Sequence, residues 1–129
     1  MDRAYAEAFA ANWAESWNDG DLDAIVGHFH ADAVFRSPKA AQIIGHGVIE
    51  GREALRSYWA EAMALATSRR FTVERTVWNA ENRELVVVYI SEIDGTARRA
   101  CEFFRFDAEG HVMEGEAMHG IALSAGAHR

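Results

Sequence analysis

The stretch TARRACEFFRFD, residues 96–107, decides which fold the sequence predicts. It follows the hairpin dipeptide Asp94-Gly95, and its alternating side chains are typical of a β-strand. The alternation places Glu102 on an apolar face together with Phe104. A carboxylate in such a row must be paired, be wetted by a pocket or keep its proton. Glu102 is therefore the first candidate for a functional residue.

This strand belongs to a series of strands in the second half of the chain. Before it, residues Phe71–Trp78 and Glu84–Ile93 alternate and are joined by a turn at residues 79–82. After it, residues His111–Leu123 are predicted to form the last strand. We expect these strands to form an antiparallel meander.

The first half of the chain is predicted to be mainly helical. Residues 2–18 place an aromatic side chain at every fourth position, which keeps four rings on one helical stripe: Tyr5, Phe9, Trp13 and Trp17. Gly20 ends this helix with a left-handed residue, and Asp21 caps a short second helix. The apolar positions of that second helix are Leu22, Ile25, Val26 and Phe29. Residues Arg52–Leu65 are predicted as the third helix.

The segment between the second and third helices has a weaker pattern. Residues Ala33–Ser37 are predicted as a short strand that ends at Pro38, the only proline. Residues 38–50 show no period, so we expect a loop there that serves as a lid or as a dimer contact. Helices followed by a meander predict an α+β fold, in which three N-terminal helices close the concave face of one curved antiparallel sheet.

Composition limits the class of protein. The 129 residues are enough for one domain, predicted over residues 1–129 with an ordered core of about 3–123, and half of them are hydrophobic. The net charge of −7 disfavours nucleic acid and anionic membranes as partners. No apolar run is long enough to span a bilayer. One cysteine excludes an internal disulfide, and an N-terminus without signal-peptide order favours a cytoplasmic location.

Four segments resemble the nuclear transport factor 2-like superfamily. They are NDGDLDAIV (18–26), FHADAV (29–34), GREAL (51–55) and FRFD (104–107), and the likeness extends over residues 5–123. The superfamily fold, also called cystatin-like, is a cone in which a bent sheet wraps three helices around a pocket. It hosts isomerases, cyclases, epoxide hydrolases, dehydratases, transport factors and binding domains, so the resemblance implies a fold more than a function.

Within the superfamily, the sequence most resembles the SnoaL-like and ketosteroid isomerase-like branch. The isomerase motifs place Trp13 where that family has its oxyanion tyrosine, and Ser37 where it has its general-base aspartate. Glu102 takes the place of the second oxyanion acid, and His119 that of a pocket aromatic. Because a serine hydroxyl is a far weaker base than a carboxylate, the classical isomerase reaction is not expected.

We expect Glu102 and His119 to be the catalytic pair, because the predicted hairpin puts them on adjacent strands. Gly115 and Ala117 precede His119 on the same face, and their small size leaves room for a ligand. Glu102 would then orient the imidazole of His119 or stabilise its protonated form, so that His119 could act in acid–base catalysis. The structural alternative is a buried polar pair that only anchors the sheet.

A second group of residues is expected to line the pocket and bind the ligand. Its members are aromatic or hydrogen-bonding: Trp13, Trp17, Ser37, Tyr58, Trp59, Tyr89 and Phe104. The alternative is that the aromatic rings belong to the helix–sheet core, and that Ser37 is an ordinary turn residue before proline.

Other polar residues are assigned no chemistry. His28 and His30 diverge at a helix end, so together with Asp32 they do not form a metal site, and neither a metal nor another cofactor is expected. His46 is interpreted as a lone surface histidine. The pairs Arg69-Arg70 and Arg98-Arg99 are interpreted as solvated ends of helices or strands.

The face of the sheet opposite Glu102 is predicted to mediate dimerisation. Cys101 and Phe103 lie there between arginines, and Val86, Val88 and Ile90 add apolar surface. Because no predicted helix remains to cover this face, we expect a homodimer through the sheets, as the resemblance also implies.

Three hypotheses about function follow from the sequence. The first is a cofactor-independent isomerase, cyclase or hydratase that acts on an apolar cyclic molecule. In the second, a binding module of the same shape holds a small apolar ligand without chemistry. The third is a structural dimer with a vestigial pocket.

Overall fold

A computed structural model describes residues 1–123 of the chain, so the frayed tail predicted after Leu123 lies outside the described residues. Four helices and six strands follow in the order α1 Arg3–Asn18, α2 Leu22–Gly27, β1 Phe29–Arg36, α3 Pro38–Ile44, β2 Val48–Glu50, α4 Arg52–Leu65, β3 Arg69–Asn79, β4 Glu84–Ile93, β5 Thr96–Phe106 and β6 Val112–Ala122. The predicted α+β class is confirmed.

The strands form one curved six-stranded sheet in the order β2-β1-β6-β5-β4-β3. The predicted meander from β3 to β6 is antiparallel throughout. The prediction of a wholly antiparallel sheet is wrong at one place, because β1 runs parallel to β6. A parallel pair requires a long connection, and here it consists of all the elements from α3 to β5.

Helix α1 packs its aromatic stripe against the concave face of the sheet. Phe9, Trp13 and Trp17 are buried, whereas Tyr5 is exposed and donates its hydroxyl hydrogen to the carbonyl oxygen of Gly110. Asp2 caps the start of this helix, because its carboxylate accepts the N–H of Tyr5.

The predicted turns and caps around the helices and strands are confirmed. Asp21 caps α2 by accepting the N–H of Ala24, and Gly20 adopts a positive φ of 65°. Asp94 and Gly95 both have positive φ, as a tight hairpin turn between β4 and β5 requires.

Two predictions for the segment after α2 are corrected. Phe29 begins strand β1 and does not belong to the second helix, and β1 extends over eight residues where the sequence predicted only Ala33–Ser37. Residues 38–50 are not a loop, because they form α3 and the edge strand β2. The sequence pattern missed α3 because its seven residues make barely two turns, too few to show a helical period.

The space above Gly115 is not available to a ligand, contrary to the expectation from its small size. A Cβ atom on Gly115 would meet Cδ1 of Phe35 at 2.8 Å and the carbonyl oxygen of Phe103 at 3.3 Å. Gly115 is therefore required by the close packing of β1 on β6. Of the two small residues, only Ala117 faces the pocket.

No helix within residues 1–123 is long and apolar enough to cross a membrane.

Candidate functional site

A pocket opens between the concave face of the sheet and the helices α3 and α4. Its inner chamber has a volume of about 310 Å³, at the small end of ligand sites, which span roughly 300–1,000 Å³. Six aromatic side chains contribute to its wall: Trp17, Phe35, Tyr58, Trp59, Phe71 and Tyr89. An outer groove of about 540 Å³ continues the site, because it shares Lys39, Gln42, Ser91, Ile93 and His119 with the chamber.

Glu102 lies at the chamber wall and is only 5% exposed. Tyr89 donates its phenolic hydrogen to Oε1 of Glu102 across 3.2 Å. Burial raises the pKa of Glu102 to about 8, although the hydrogen bond from Tyr89 opposes that rise. Glu102 is thus a protonated acid at neutral pH, and within residues 1–123 its second oxygen makes no side-chain hydrogen bond.

Burial also governs the two tyrosines beside Glu102. It raises the pKa of Tyr89 well above the ordinary value, and the carboxyl of Glu102 adds to that rise. The pKa of Tyr58 is likewise raised, mainly by burial. Both phenols therefore stay protonated and act as hydrogen-bond donors in the chamber.

Ser37 has a structural task as well as a place on the chamber wall. Its hydroxyl caps α3 at the N–H of Ala40 and shares a hydrogen bond of 3.3 Å with the hydroxyl of Tyr58. This cap sets the direction of α3, with Pro38 in the first turn of the helix. Ser37 is thus more than an ordinary turn residue.

His119 lies on β6 at the junction of the chamber and the outer groove. Its residue is exposed on the groove side, yet desolvation and the positive charges of Lys39 and Arg98 lower its pKa below the ordinary value of 6.5. Among residues 1–123, no hydrogen bond joins His119 to Glu102, and the two are diagonal neighbours because β5 pairs Ala100 with His119 and Glu102 with Ala117. The two side chains line one cavity as separate groups.

Seven of the nine sequence-predicted site residues line the same chamber: Trp17, Ser37, Tyr58, Trp59, Tyr89, Glu102 and His119. The other two, Trp13 and Phe104, are corrected to core residues. Trp13 is 1% exposed and packs its ring against Tyr89 at 4.9 Å and Phe71 at 5.5 Å. Phe104 is fully buried against Phe9 at 5.0 Å. Both lie deeper in the cone than the chamber, at the end that α1 closes.

The polar residues at the pocket mouth were not predicted from the sequence. Lys39 and Gln42 reach it from α3, which had been predicted as a loop. Arg69 and Arg98 had been interpreted as solvated ends, but Arg69 lies over the ring of Trp17 at 5.3 Å and Arg98 lines the outer groove. Strand alternation is the signal that could have predicted the position of Arg98, since Arg98 shares a face of β5 with Ala100 and Glu102.

The other residues that were assigned no chemistry, among them two histidines and the cysteine, lie away from the chamber. His28 packs against Phe9 at 4.9 Å, and burial lowers its pKa. The ring of His46 hydrogen-bonds the carbonyl oxygen of Val48. Cys101 is a half-buried free thiol. Within residues 1–123, no three His, Cys, Asp or Glu side chains are grouped as metal ligands.

Comparisons with known proteins identify the family and the fold. The family model described as a SnoaL-like domain matches residues 10–115. A SnoaL-like protein of unknown function from Burkholderia thailandensis is 28% identical, with a TM-score of 0.84 over 94% of this chain and 98% of that one. No curated protein matches the chain significantly.

Two more distant solved structures share the fold. A protein of unknown function with a cystatin-like fold from Methylobium petroleophilum is 23% identical, with a TM-score of 0.77 over 100% of this chain and 84% of that one. The epoxide hydrolase/cyclase-like enzyme SalBIII, which has a role in pyran ring formation in the polyether salinomycin, is 21% identical, with a TM-score of 0.73 over 93% of this chain and 94% of that one. These likenesses confirm the predicted cone.

Proposed function

The chain belongs to the SnoaL-like domain family, and from this premise we propose that it is an enzyme that moves protons on a small cyclic substrate without a cofactor. The substrate's apolar body occupies the inner chamber, where six aromatic rings contribute to the wall. Isomerisation, cyclisation and hydration are the reaction types that this proposal covers, because each needs one acid and one base.

The observation that carries the proposal is a pair of opposed pKa shifts in one cavity. The pKa of Glu102 is raised to about 8, and that of His119 is lowered below 6.5. At neutral pH the carboxyl therefore holds a proton and the imidazole lacks one. Two groups whose environments push their pKa values apart in this way are suited to the roles of acid and base.

Each group has a role in the proposed reaction. Glu102 donates its hydrogen to a substrate oxygen and stabilises the negative charge that develops there, while Tyr89 holds the carboxyl in place from Oε1. His119 accepts a proton from a neighbouring position of the substrate and returns it to another atom, so no net charge or electron is transferred. Tyr58 and Ser37, joined by their hydrogen bond, position the ring from the opposite wall.

The alternative function is a non-catalytic binding module for a small apolar ligand. The absence of a hydrogen bond between Glu102 and His119 among the described residues favours it, since the carboxyl then does not orient the imidazole as the sequence predicted. SalBIII supports the catalytic hypothesis to the extent that it shares this fold and is described as epoxide hydrolase/cyclase-like. Turnover separates the two hypotheses, because both predict binding.

The proposal is tested by screening cyclic enones and epoxides for turnover and then measuring the pH profile of kcat/KM. We expect an acidic limb from His119 below pH 6.5 and an alkaline limb from Glu102 near pH 8. Glu102→Gln should lower kcat about 100-fold and remove the alkaline limb. His119→Gln should remove the acidic limb.

Glu61→Gln, an exposed change on α4, serves as the control and should leave the profile unchanged. Ligand binding without turnover of any compound would favour the binding module. Turnover that is equally fast in Glu102→Gln would contradict the assigned roles.

We also propose that the protein is a homodimer through the outer face of the sheet. An outer apolar strip is formed by Val77, Val86, Cys101, Phe103 and Met118. Val77 pairs with Val86 and Val86 with Phe103, and in the next row of the same face Cys101 pairs with Met118. Val77 is 56% exposed and Met118 is 48% exposed, so the strip leaves apolar surface open. The free thiol of Cys101 in this strip fits the cytoplasm, which we propose as the location.

Light scattering during gel filtration tests the dimer. The wild-type chain should elute at twice its mass, and Phe103→Asp should elute as a monomer. Val48→Asp introduces the same charge at an exposed apolar residue on the edge strand β2 and should remain dimeric. A monomeric wild type would refute this assembly.

A further inference from the structure

Three cationic side chains meet where the inner chamber opens into the outer groove. Lys39 lies in the first turn of α3, Arg69 begins β3, and Arg98 lies on β5. Lys39 and Arg69 line the chamber, and Lys39 and Arg98 line the groove. Burial first, and then the charges of Arg69 and Arg98, lower the pKa of the Lys39 ammonium. Lys39 therefore lies within the electric field of both arginines.

Acidic side chains neutralise this cluster only in part. Among residues 1–123, none of Lys39, Arg69 and Arg98 forms an ion pair. Asp94 also lines the chamber, and its negative charge raises the pKa of Arg69 while its Oδ1 accepts the N–H groups of Thr67 and Ser68, each at 2.8 Å. Three positive charges thus face one negative charge at the mouth. Glu102 is uncharged at neutral pH.

The uncompensated charge is not a product of overall composition. The chain has 20 acidic and 13 basic residues, so acidic partners are plentiful elsewhere. Holding cations together at a half-buried mouth raises the free energy of the folded protein, and a bound anion would lower it again. Such an arrangement is typical of a site that is completed by its ligand.

The site is thus divided into an apolar part and a positively charged part. The deeper wall is aromatic, and Arg69 is held over the ring of Trp17, so that its charge faces the mouth from the chamber side. Lys39 and Arg98 face the mouth from the groove side. We propose that the substrate carries a carboxylate, which binds between Lys39, Arg69 and Arg98, while its apolar ring body lies in the inner chamber. This inference rests on the proposed function of the same pocket and narrows its substrate to an amphipathic anion.

The proposal orients the substrate relative to the acid and the base. Arginine guanidinium groups bind carboxylates through paired hydrogen bonds, which would fix the acid group at the mouth. His119 lies beside that position, and Glu102 lies deeper in the chamber. The ring end of the substrate is therefore directed towards Glu102, with His119 alongside the part of the ring that is nearest the carboxylate.

Calorimetric titration with 2-naphthoate and its neutral isostere 2-naphthamide tests the proposal. Because hydrogen bonds to charged groups contribute about 1.5–3 kcal/mol, naphthoate should bind roughly 10- to 100-fold more tightly. Raising the salt concentration should weaken the binding of naphthoate and leave that of naphthamide unchanged. This comparison uses only the wild-type protein, so it does not depend on the folding of any variant.

Variants then locate the anion. Lys39→Gln and Arg98→Gln should each reduce the preference for naphthoate several-fold, and the double variant should abolish it. Arg70→Gln is the matched control, because Arg70 is the exposed neighbour of Arg69 on β3 and does not line the pocket. Equal affinities for the two probes in the wild type, or an equal loss of preference in Arg70→Gln, would overturn the proposal.

Further measurements distinguish a failure of the anion site from a failure of the proposed catalytic function. Inorganic phosphate should compete only weakly with naphthoate, since it lacks the ring body; phosphate that bound as tightly as naphthoate would overturn the amphipathic site. Glu102→Gln should retain the preference for naphthoate, because the acid does not contact the carboxylate. A preference for naphthoate without turnover of any compound would support the anion site and contradict the proposed catalytic function. Turnover of neutral substrates alone would support the catalytic function and contradict the anion site.

Discussion

Glu102→Gln is expected to make the protein more stable than the wild type at alkaline pH. The pKa of Glu102 rises from 4.5 to about 8 on folding, so between these values the folded state holds a proton that the unfolded state releases. The free energy of unfolding of the wild type should therefore fall as pH rises from 4.5 through 8 and level off above. The stabilising effect of the raised pKa is complete only below pH 4.5. Glutamine stays neutral and still offers an oxygen to the hydroxyl of Tyr89, so the variant should lack this fall.

At pH 9 the free energy of unfolding of the variant should exceed that of the wild type by at most about 5 kcal/mol, which corresponds to a rise in Tm of roughly 10 °C or more. Thermal unfolding followed by circular dichroism at pH 5, 7 and 9 measures it. Because the pKa of His119 is lowered in the folded protein, its protonation makes the free energy of unfolding fall as the pH drops below 6.5. This contribution is common to both proteins and cancels in their difference. Glu61→Gln should retain the wild-type slope. Parallel stability curves for the wild type and Glu102→Gln would mean that Glu102 is ionised in the folded protein.

Trp13→Ala is expected to lower stability by about 3–5 kcal/mol, because it empties a fully packed core position. The ring of Trp13 packs against Phe71, Tyr89 and Phe104, and only 1% of the residue is exposed. Urea unfolding measures the loss. If the alanine variant fails to fold, Trp13→Phe gives the same sign with a smaller loss of about 1–2 kcal/mol.

The ligand-binding counterpart is Trp17→Ala, which removes a ring from the chamber wall one helical turn further along α1. Under conditions where both variants are folded, Trp13→Ala should bind 2-naphthoate within a few-fold of the wild type. Trp17→Ala should lose about tenfold or more. Weak binding by a stable Trp13→Ala variant would instead make Trp13 a ligand contact, as its place in the isomerase motif implies.

The contrast between these two tryptophans shows how far the sequence could predict the site. Periodicity put both rings on one stripe of α1, and that stripe does face the sheet. Periodicity does not state how far along the stripe the packed core ends and the pocket begins. The boundary falls between Trp13 and Trp17, where α1 leaves the part of the sheet that Phe104 fills.

The same reasoning explains why Glu102 was found and the cations were missed. Alternation in β5 places Glu102 among apolar side chains without knowledge of any other element, so local pattern was sufficient. Lys39, Arg69 and Arg98 come together only through α3 and the ends of β3 and β5. Such a cluster depends on tertiary packing, and single basic residues in sequence look like ordinary surface charges.

The parallel pairing of β1 with β6 could not be predicted from the sequence pattern, because it too depends on tertiary structure. Both strands were predicted, but their partnership joins residues about 80 positions apart, such as Phe35 with Gly115. The turn signals that fix the neighbours of β4 and β5 have no counterpart there. The predicted sheet was therefore wrongly antiparallel at this one pair, although the predicted α+β cone is correct.

The central claim is that Glu102 is a protonated acid in the ligand pocket at neutral pH. Its most direct test is a pH titration of the side-chain carboxyl resonances of the protein labelled with 13C-glutamate. The signal of Glu102 is identified by its absence from Glu102→Gln. We predict a midpoint at about 8 for this resonance. A midpoint near the ordinary value of 4.5 would contradict the claim, and with it the acid that the proposed reaction requires.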